Sequence, residues 1–254
     1  MKRSKSSKLT SDAILRAAAT MRDRVNQLDF SPSIPWVYNP LNYAWEAYEQ
    51  YVRRYACGSA KVLLLGMNPG PWGMAQTGVP FGEVNIVTDW LQIDATIGRP
   101  SIEHPKRPIE GLRCQRSEVS GKRLWGLCRQ RFATPAAFFE GHFVANYCPL
   151  VFMEESARNL TPDKLGVNLR EPLVEICDEH LFELIIAIKP KWVIGVGGFA
   201  EDCVKRVLSV RTLDGFSVQT GRILHPSPAS PAANRDWAGT ATKQMIALGI
   251  WEKQ

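Results

Sequence analysis

The chain lacks the long apolar segments that membrane and exported proteins carry. No apolar run reaches the roughly 18 residues of a membrane-spanning helix, so we expect no membrane partner. Residues 1–8 are basic but contain no apolar stretch of the kind found in secretory signals. We therefore expect an intracellular protein, in the cytoplasm or nucleoid of a bacterium or in the nucleus of a eukaryote.

The chain also lacks the short motifs of several enzyme classes. It has no G-x-S-x-G nucleophile turn, no phosphate-binding loop with its lysine and no H-E-x-x-H zinc motif. These absences argue against a serine hydrolase, a nucleotide triphosphatase and a metalloprotease.

Cysteine is present, but not in the pairs that are typical of a cofactor site. The six cysteines form no C-x-x-C pair, and their spacing does not match zinc or iron–sulfur ligation. The chain is also long enough to build a core without disulfides. We expect reduced thiols, no bound metal and no other cofactor.

Positive charge is concentrated in one part of the chain. The net charge is +6, and residues 99–131 alone carry nine Lys and Arg against three Glu. This concentration suits a polyanion such as a nucleic acid, and a solvated basic surface is the alternative. We interpret residues 1–10 as a basic flexible tail, with a nucleic-acid-binding arm or a nuclear address as alternatives, and residues 11–254 as a single domain.

Apolar strands and amphipathic helices alternate along that domain. Strands are predicted over 61–65, 143–147, 192–196 and 217–224, and helices over 11–28, 42–56, 83–92, 121–131, 171–188, 199–209 and 232–248. The long stretch 98–120 is predicted to be irregular. This alternation favours an α/β fold, a three-layer sandwich with a mostly parallel central sheet.

Residues 66–83 form the most informative segment, because five glycines and three prolines make it an irregular loop after a strand. Asn68 in this loop, Asn146 and His225 each lie at or just past the end of a separate predicted strand. Since the carboxyl ends of parallel strands share one edge, these side chains should converge on one cleft. The amides can match an imide-like base edge, and Phe81 can stack on a flat ring.

Each of these features has a structural alternative. Asparagine is common in turns, a lone histidine is often structural, and Phe81 suits a core position equally well. The glycines at 195–198 are typical of part of a dinucleotide-binding turn, but a plain strand-to-helix turn explains them better.

The motifs taken together resemble one family. Residues 66–83 are similar to the first motif of the single-strand-selective monofunctional uracil-DNA glycosylases, and 225–228 with Asn234 and Trp237 resemble the second. Further matching segments follow in order, at 103–108, 117–121, 146–150, 158–162 and 195–197. The resemblance implies the uracil-DNA glycosylase fold, an α/β/α sandwich around a four-stranded parallel sheet.

The resemblance also implies an activity. Such enzymes flip a uracil nucleotide out of single- or double-stranded DNA, hydrolyse its N-glycosidic bond and leave an abasic site. Oxidised uracils such as 5-hydroxymethyluracil are further expected substrates. By resemblance, Asn68 positions the attacking water and His225 donates a hydrogen bond to the leaving base. The residues that bind the base are then Met67, Gly70, Phe81, Asn146 and His225.

Two segments are implied to contact DNA. One supplies Ser156, Arg158, Asn159, Lys164 and Arg170. The other, a wedge over Pro226–Trp237, supplies Pro226, Ser227, Pro228 and Asn234. We expect a monomer whose partner is DNA, with tight and salt-sensitive binding to the abasic product.

Two departures from the family pattern and three alternatives stay open. Ala229 and Ser230 stand where vertebrate members carry a basic residue, which predicts a weaker wedge, whereas Trp72 replaces a phenylalanine with no expected effect. The alternatives are a mismatch-directed thymine/uracil or hypoxanthine glycosylase, a non-catalytic binder of damaged DNA, and a small-molecule enzyme that uses the Gly195 turn.

Overall fold

The computed structural model describes residues 5–58 and 60–253. The strands are β1 (Trp36–Tyr38), β2 (Val62–Gly66), β3 (His142–Asn146), β4 (Val151–Met153), β5 (Asn159–Leu160), β6 (Trp192–Val196) and β7 (Gln219–Ile223). The α-helices are α1 (Lys5–Val25), α2 (Pro40–Tyr43), α3 (Trp45–Tyr55), α4 (Met74–Thr77), α5 (Val119–Phe132), α6 (Pro135–Phe139), α7 (Val167–Ile188), α8 (Gly198–Val210) and α9 (Pro231–Ala247).

The central sheet has four parallel strands in the order β3-β2-β6-β7. Every residue of β2 and β3 is buried, so helices cover both faces of the sheet and form the predicted three-layer α/β/α sandwich. Gly66 pairs with Asn146 at the last position of the β2–β3 ladder. The carboxyl ends of all four strands therefore meet at one edge, as predicted from the alternation of elements.

The first helix is longer than predicted. It runs over Lys5–Val25, so residues 5–10, which we predicted to be part of a flexible tail, are helical. Ser7 is buried and donates to the Ala56 carbonyl at 3.3 Å, while Ser11 donates to Lys8 from inside the helix. Residues 1–4 of the predicted tail lie outside the described residues.

A second, small sheet was not predicted. Strands β1, β4 and β5 pair antiparallel in that order, with Tyr38 opposite Val151 and Phe152 opposite Leu160. These strands have only two or three residues, which is too short for an alternating pattern to show in the sequence.

Three local predictions were wrong in detail. The helix predicted over 83–92 is a short π-helix, Ile86–Trp90, and the 66–83 loop contains the one-turn helix α4. Helix α5 begins at Val119, inside the stretch predicted to be irregular, which otherwise holds only the short 3₁₀ turn Gly111–Arg113. Among the described residues, no helix has both the length and the apolar character that crossing a bilayer requires.

Candidate active site

A cleft of about 360 Å³ opens at the carboxyl edge of the parallel sheet. It is lined by Met67, Asn68, Gly70, Pro71, Met74, Phe81, Glu118, Ser120, Asn146, Asn159, Thr161, His225, Ser227 and Pro228. All six residues predicted for catalysis or base binding are in this set, which confirms that they converge on one cleft.

Gly66 at the end of β2 makes room for two of the cleft side chains. A Cβ on this residue would lie 2.3 Å from Oδ1 of Asn146 and 2.5 Å from Cε2 of Phe81. Real atoms do not approach this closely, so only glycine lets the amide and the aromatic ring share the end of the strand. The ring and the amide thus form adjoining walls of one slot.

The Asn146 side chain is buried with an unused acceptor. It is 7% exposed, and its Nδ2 donates a weak hydrogen bond to Sδ of Met74 at 3.3 Å. Its Oδ1 is buried and receives no hydrogen bond from any described residue. Leaving such a group unpaired costs about 1–3 kcal/mol, so the cleft favours a ligand that brings an N–H to this oxygen.

Phe81 is held in an unusual backbone conformation. Its φ is +55°, a left-handed value that costs a residue with a side chain about 1–2 kcal/mol. The turn that contains Phe81 is held by contacts within the protein. Trp125 donates its indole N–H to the carbonyl of the preceding residue, Pro80, at 3.2 Å. A Cβ on Gly121 of α5 would lie 2.1 Å from the Phe81 carbonyl oxygen, so α5 packs directly against this turn.

Asn68 lines the cleft, and its amide nitrogen is held by the backbone. Its Nδ2 donates to the Leu150 carbonyl at 3.1 Å, which fixes the orientation of the amide. Because Nδ2 is used in this way, Oδ1 is the amide atom left to accept a hydrogen bond. An acceptor held in this way can orient a water molecule.

His225 is held as a neutral ring with its proton on Nε2. The Ser227 backbone N–H donates to Nδ1 at 3.1 Å, so in the neutral ring the other nitrogen carries the hydrogen. Burial lowers the pKa of His225 below its usual value of 6.5, which favours the same neutral form. The ring therefore offers one N–H donor to a ligand in the cleft.

The glycines at 195–198 support this histidine. Gly197 caps α8 with a φ of +99°, and a Cβ there would lie 3.1 Å from Cβ of His225. The segment is thus a strand-to-helix turn against which His225 packs, as we favoured over a dinucleotide-binding turn.

An arginine forms hydrogen bonds with the loop after His225. In the sequence, this arginine was noted only as part of the excess of positive charge over residues 99–131. Arg123 of α5 donates to the Pro226 carbonyl at 3.0 Å and to Oδ1 of Asn234 at 2.9 Å. Asn234 in turn donates to the Pro228 carbonyl at 2.8 Å, so both ends of its amide are used inside the protein. Its structural role was not predicted.

Part of the segment predicted to form the wedge is helical. Helix α9 begins at Pro231, and Trp237 is 3% exposed and donates to the Leu224 carbonyl at 2.7 Å. Trp237 is thus a core residue and not part of an inserting loop. Within the predicted wedge, Pro228, Ala229, Pro231 and residues 234–236 are exposed, whereas Pro226 is buried.

A carboxylate in the cleft was also missed. Glu118 accepts backbone N–H groups of Trp72 and Ser120, and burial raises the pKa of its carboxyl group. A Cβ on Gly70 would lie 2.3 Å from its Oε2, so the 66–83 loop rests on this side chain. Glu118 stands at the start of a helix and not at the end of a strand, and its place in the matching segment 117–121 is the signal that could have found it.

The segment predicted to contact DNA is divided between the cleft and the surface. Asn159 lines the cleft, and its Oδ1 is buried without a partner among the described residues. Ser156 accepts the Arg158 backbone N–H at 3.2 Å in an exposed turn.

The two remaining cations of that segment lie outside the cleft. The Lys164 ammonium group is exposed and 3.3 Å from Asp163. Arg170 lines a separate groove together with Glu171 and Glu175.

Metal and disulfide chemistry find no support in the part of the chain that the structure describes. No group of three or more His, Cys, Asp or Glu side chains comes together there in a way that suits a metal ion. All six cysteines are free thiols. The side chains that line the cleft include amides, an imidazole, an aromatic ring and one carboxylate.

Comparison with known proteins is consistent with this geometry. The family model of the uracil DNA glycosylase superfamily matches residues 53–247. The single-strand selective monofunctional uracil-DNA glycosylase of Rattus norvegicus is 46% identical over 94% of this chain and 85% of its own length. The Bos taurus enzyme of that name is 45% identical, over 94% of this chain and 87% of its own length.

A solved structure shows the same fold at lower identity. The crystal structure of SMUG2 from Pedobacter heparinus matches 92% of this chain and 97% of its own, with a TM-score of 0.62 and 17% identity. Family model, relatives and fold agree: this chain belongs to the uracil-DNA glycosylase superfamily, and within it to the single-strand selective monofunctional uracil-DNA glycosylases.

Proposed function

We propose that this protein is a monofunctional DNA glycosylase that hydrolyses the bond between uracil and deoxyribose and leaves an abasic site. The observation that carries the proposal is the buried, unpaired Oδ1 of Asn146 beside the Phe81 ring, with the His225 donor in the same cleft. A flat ring with an N–H between two carbonyl groups satisfies all three, and uracil is such a ring.

Base selection follows from the Asn146 amide. Its Oδ1 accepts the N3–H of uracil, and its Nδ2 donates to O4. Cytosine presents a bare ring nitrogen and an amino group at these two places, so both contacts would be mismatched. Each unpaired buried group costs about 1–3 kcal/mol, which is enough to exclude cytosine from the cleft.

Bond cleavage is assisted at the leaving base. When the C1′–N1 bond breaks, its electron pair leaves with uracil, and the negative charge spreads to O2. The Nε2–H of His225 donates to this oxygen, and one such donor is typically worth about 3–4 kcal/mol in the transition state. The lowered pKa of His225 keeps a proton off Nδ1, so the Ser227 N–H continues to orient the ring.

Water completes the reaction at the sugar. Asn68 orients a water through Oδ1, the water oxygen bonds to C1′, and its proton passes to solvent. An amide is a weak base, so the pathway is one in which the base has largely departed before water attacks. No lysine of the described residues lines the cleft, so a Schiff-base nucleophile has no candidate there, in keeping with a monofunctional enzyme.

DNA is held outside the cleft in this proposal. Residues Pro226, Ser227 and Pro228 enter the stack where the nucleotide leaves it. Ser156, Arg158 and Lys164 contact phosphates, with Arg170 further along the surface. Asn159 faces the nucleotide rather than the backbone, because it lines the cleft. We further propose that the protein is monomeric and intracellular and also removes 5-hydroxymethyluracil.

One assay tests the activity. Oligonucleotides with a single uracil, single-stranded and paired, are incubated with the protein and then treated with alkali, which cleaves at abasic sites. Cleavage at the uracil is the expected result, and the absence of cleavage on both substrates would contradict the proposed activity. Matched strands with mismatched thymine or hypoxanthine separate the other glycosylase classes.

A further inference from the structure

The rim of the cleft carries a cluster of two arginines on one indole ring. Trp72 follows the cleft residue Pro71, and its ring centroid lies 4.9 Å from Cζ of Arg107 and 5.1 Å from Cζ of Arg116. The sequence predicted no effect of Trp72 in place of a phenylalanine. In the structure this side chain gathers two guanidinium groups beside the cleft, and tryptophan is the ring that holds a cation best.

These two cations are not neutralised inside the protein. Neither guanidinium forms an ion pair with a carboxylate of the described residues. Nε of Arg107 is buried without a hydrogen-bond partner among those residues, while its Nη1 donates to the Lys106 carbonyl at 3.0 Å. Two like charges gathered on one ring repel each other, and an anion between them removes that repulsion.

Hydrogen bonds hold the backbone of two residues of this cluster, Arg107 and Trp72. The Arg107 carbonyl accepts from the Tyr38 hydroxyl at 3.0 Å, and the Arg107 backbone N–H donates to His104 at 2.8 Å. The Trp72 backbone N–H donates to Glu118, the carboxylate that supports the loop at Gly70. The fold thus sets the backbone positions of Arg107 and of Trp72, whose ring both guanidinium groups contact.

We propose that Arg107, Trp72 and Arg116 form a phosphate site for the DNA strand that carries the target nucleotide, one that binds a phosphodiester next to that nucleotide. The proposal rests on the proposed DNA glycosylase activity for the identity of the strand. Its chemistry is that of a phosphate oxygen accepting from two guanidinium groups. The neighbouring excess of Lys and Arg over 99–131 attracts the polyanion, and this site sets its register.

The test uses a single-stranded oligonucleotide with 2′-fluoro-2′-deoxyuridine, which resists hydrolysis because fluorine disfavours positive charge on the sugar. Phosphates on either side of this nucleotide are replaced one at a time by uncharged methylphosphonate. Binding is measured by fluorescence anisotropy over a range of salt concentrations. Inorganic phosphate at matched ionic strength serves as a competitor that separates a site for free phosphate from one for the strand.

Arg116→Gln is the main variant, because Arg116 is exposed and its loss leaves the core intact. We expect about tenfold weaker binding and a salt slope reduced by about 0.7, the value for one phosphate on a single strand. Replacement of one particular phosphate by methylphosphonate should weaken binding to the wild type. The same replacement should not weaken binding to Arg116→Gln any further. Trp72→Leu should weaken binding less, since both cations remain but lose their common support.

Arg211→Gln is the matched control. Arg211 also lies over an aromatic ring, Phe182, at 5.0 Å, but it follows the last residue of α8. The N-cap of α8, Gly197, lies against His225, so Arg211 at the other end of this helix is about 20 Å away along its axis. This control should keep the salt slope and the methylphosphonate pattern of the wild type.

Two results would overturn the site. One is equal weakening by Arg116→Gln and Arg211→Gln, and the other is a methylphosphonate scan that Arg116→Gln leaves unchanged. Competition by inorganic phosphate with no position-specific effect on the strand would likewise reject a strand site. Uracil release by the wild type is measured separately. If the wild type releases no uracil but still shows the position-specific methylphosphonate effect, the proposed glycosylase activity is rejected and the phosphate site is kept.

Discussion

The Ser227 backbone N–H donates to Nδ1 of His225 at 3.1 Å, and this one bond decides which ring nitrogen carries the proton. Because the two residues are separated by a single proline, the stiff His-Pro-Ser turn holds donor and ring together. The cleft therefore receives an N–H donor from a neutral imidazole.

Removing the donor should slow the chemical step and spare DNA binding. His225→Leu puts an apolar side chain in place of the ring and removes the Nε2–H donor. We therefore expect single-turnover uracil release to fall roughly 100- to 1,000-fold. Asn68→Ala should cost about a hundredfold, because the water is no longer oriented. Anisotropy with a non-cleavable oligonucleotide checks affinity, and near-wild-type rates for both variants would show that the site is assigned wrongly.

The pH dependence should follow the histidine. Burial lowers the pKa of His225, so the ring is neutral at neutral pH and gains a proton only below its usual value of 6.5. That proton displaces the Ser227 N–H from Nδ1, so single-turnover rates should fall on the acid side. His225→Gln has a donor but no titrating group. If the single-turnover rate of this variant falls at the same acid pH, the fall is caused by another residue.

Gly66→Ala should weaken base binding by distorting the slot between Asn146 and Phe81. Its Cβ would lie 2.3 Å from Oδ1 of Asn146 and 2.5 Å from Phe81, so it would push the two walls of the slot apart. We expect loss of uracil release and weaker binding of free uracil by calorimetry. Gly126→Ala in α5 is the matched control, because nothing lies within 4 Å of its Cβ. It should keep full activity and gain up to about 1 kcal/mol of stability.

Glu118 should support the loop through its acceptor oxygens. Glu118→Gln keeps an oxygen for the Trp72 and Ser120 N–H groups, whereas Glu118→Ala removes it and leaves a gap under Gly70. We expect the alanine variant to lose about tenfold or more in kcat/KM, as when one charge-assisted hydrogen bond is lost. The glutamine variant should retain most activity. Equal loss in both would instead indicate that the carboxylate charge takes part in the reaction.

Acid should destabilise the fold through two buried histidines. Burial lowers the pKa values of His142 and His180 from 6.5 to about 4. Nε2 of His142 accepts the Trp251 indole N–H at 3.0 Å, so a proton there would break a buried bond. Because the unfolded chain binds more protons between these values, the free energy of unfolding should fall by about 3 kcal/mol per histidine as pH drops from 6.5 to 4.

Urea unfolding at several pH values measures this effect. His180→Phe removes one titrating ring of similar shape and should make the pH dependence about half as steep, whatever its own effect on stability. An unchanged slope in this variant would contradict the role of His180. A slope close to zero in the wild type would contradict the low pKa of both rings.

The sequence by itself determined the parallel sheet and the convergence on its edge. Apolar strand patterns are local, and the ends of parallel strands meet whatever the details of packing. The order of strands and helices along the chain was therefore enough to place Asn68, Asn146 and His225 in one cleft. The short strands β1, β4 and β5 could not be predicted, because two or three residues carry no periodic pattern.

Only the tertiary structure decided how those residues are held. The Asn68 amide is oriented by Leu150, 82 positions away, and the loop after His225 is held by Arg123, 111 positions before Asn234. Glu118, Arg107 and Arg116 come from a segment that looked irregular and merely basic, yet Glu118 lines the cleft and the two arginines lie over the ring of Trp72. Contacts of this kind depend on how helices and loops pack around the sheet, and no local pattern in the sequence encodes that packing.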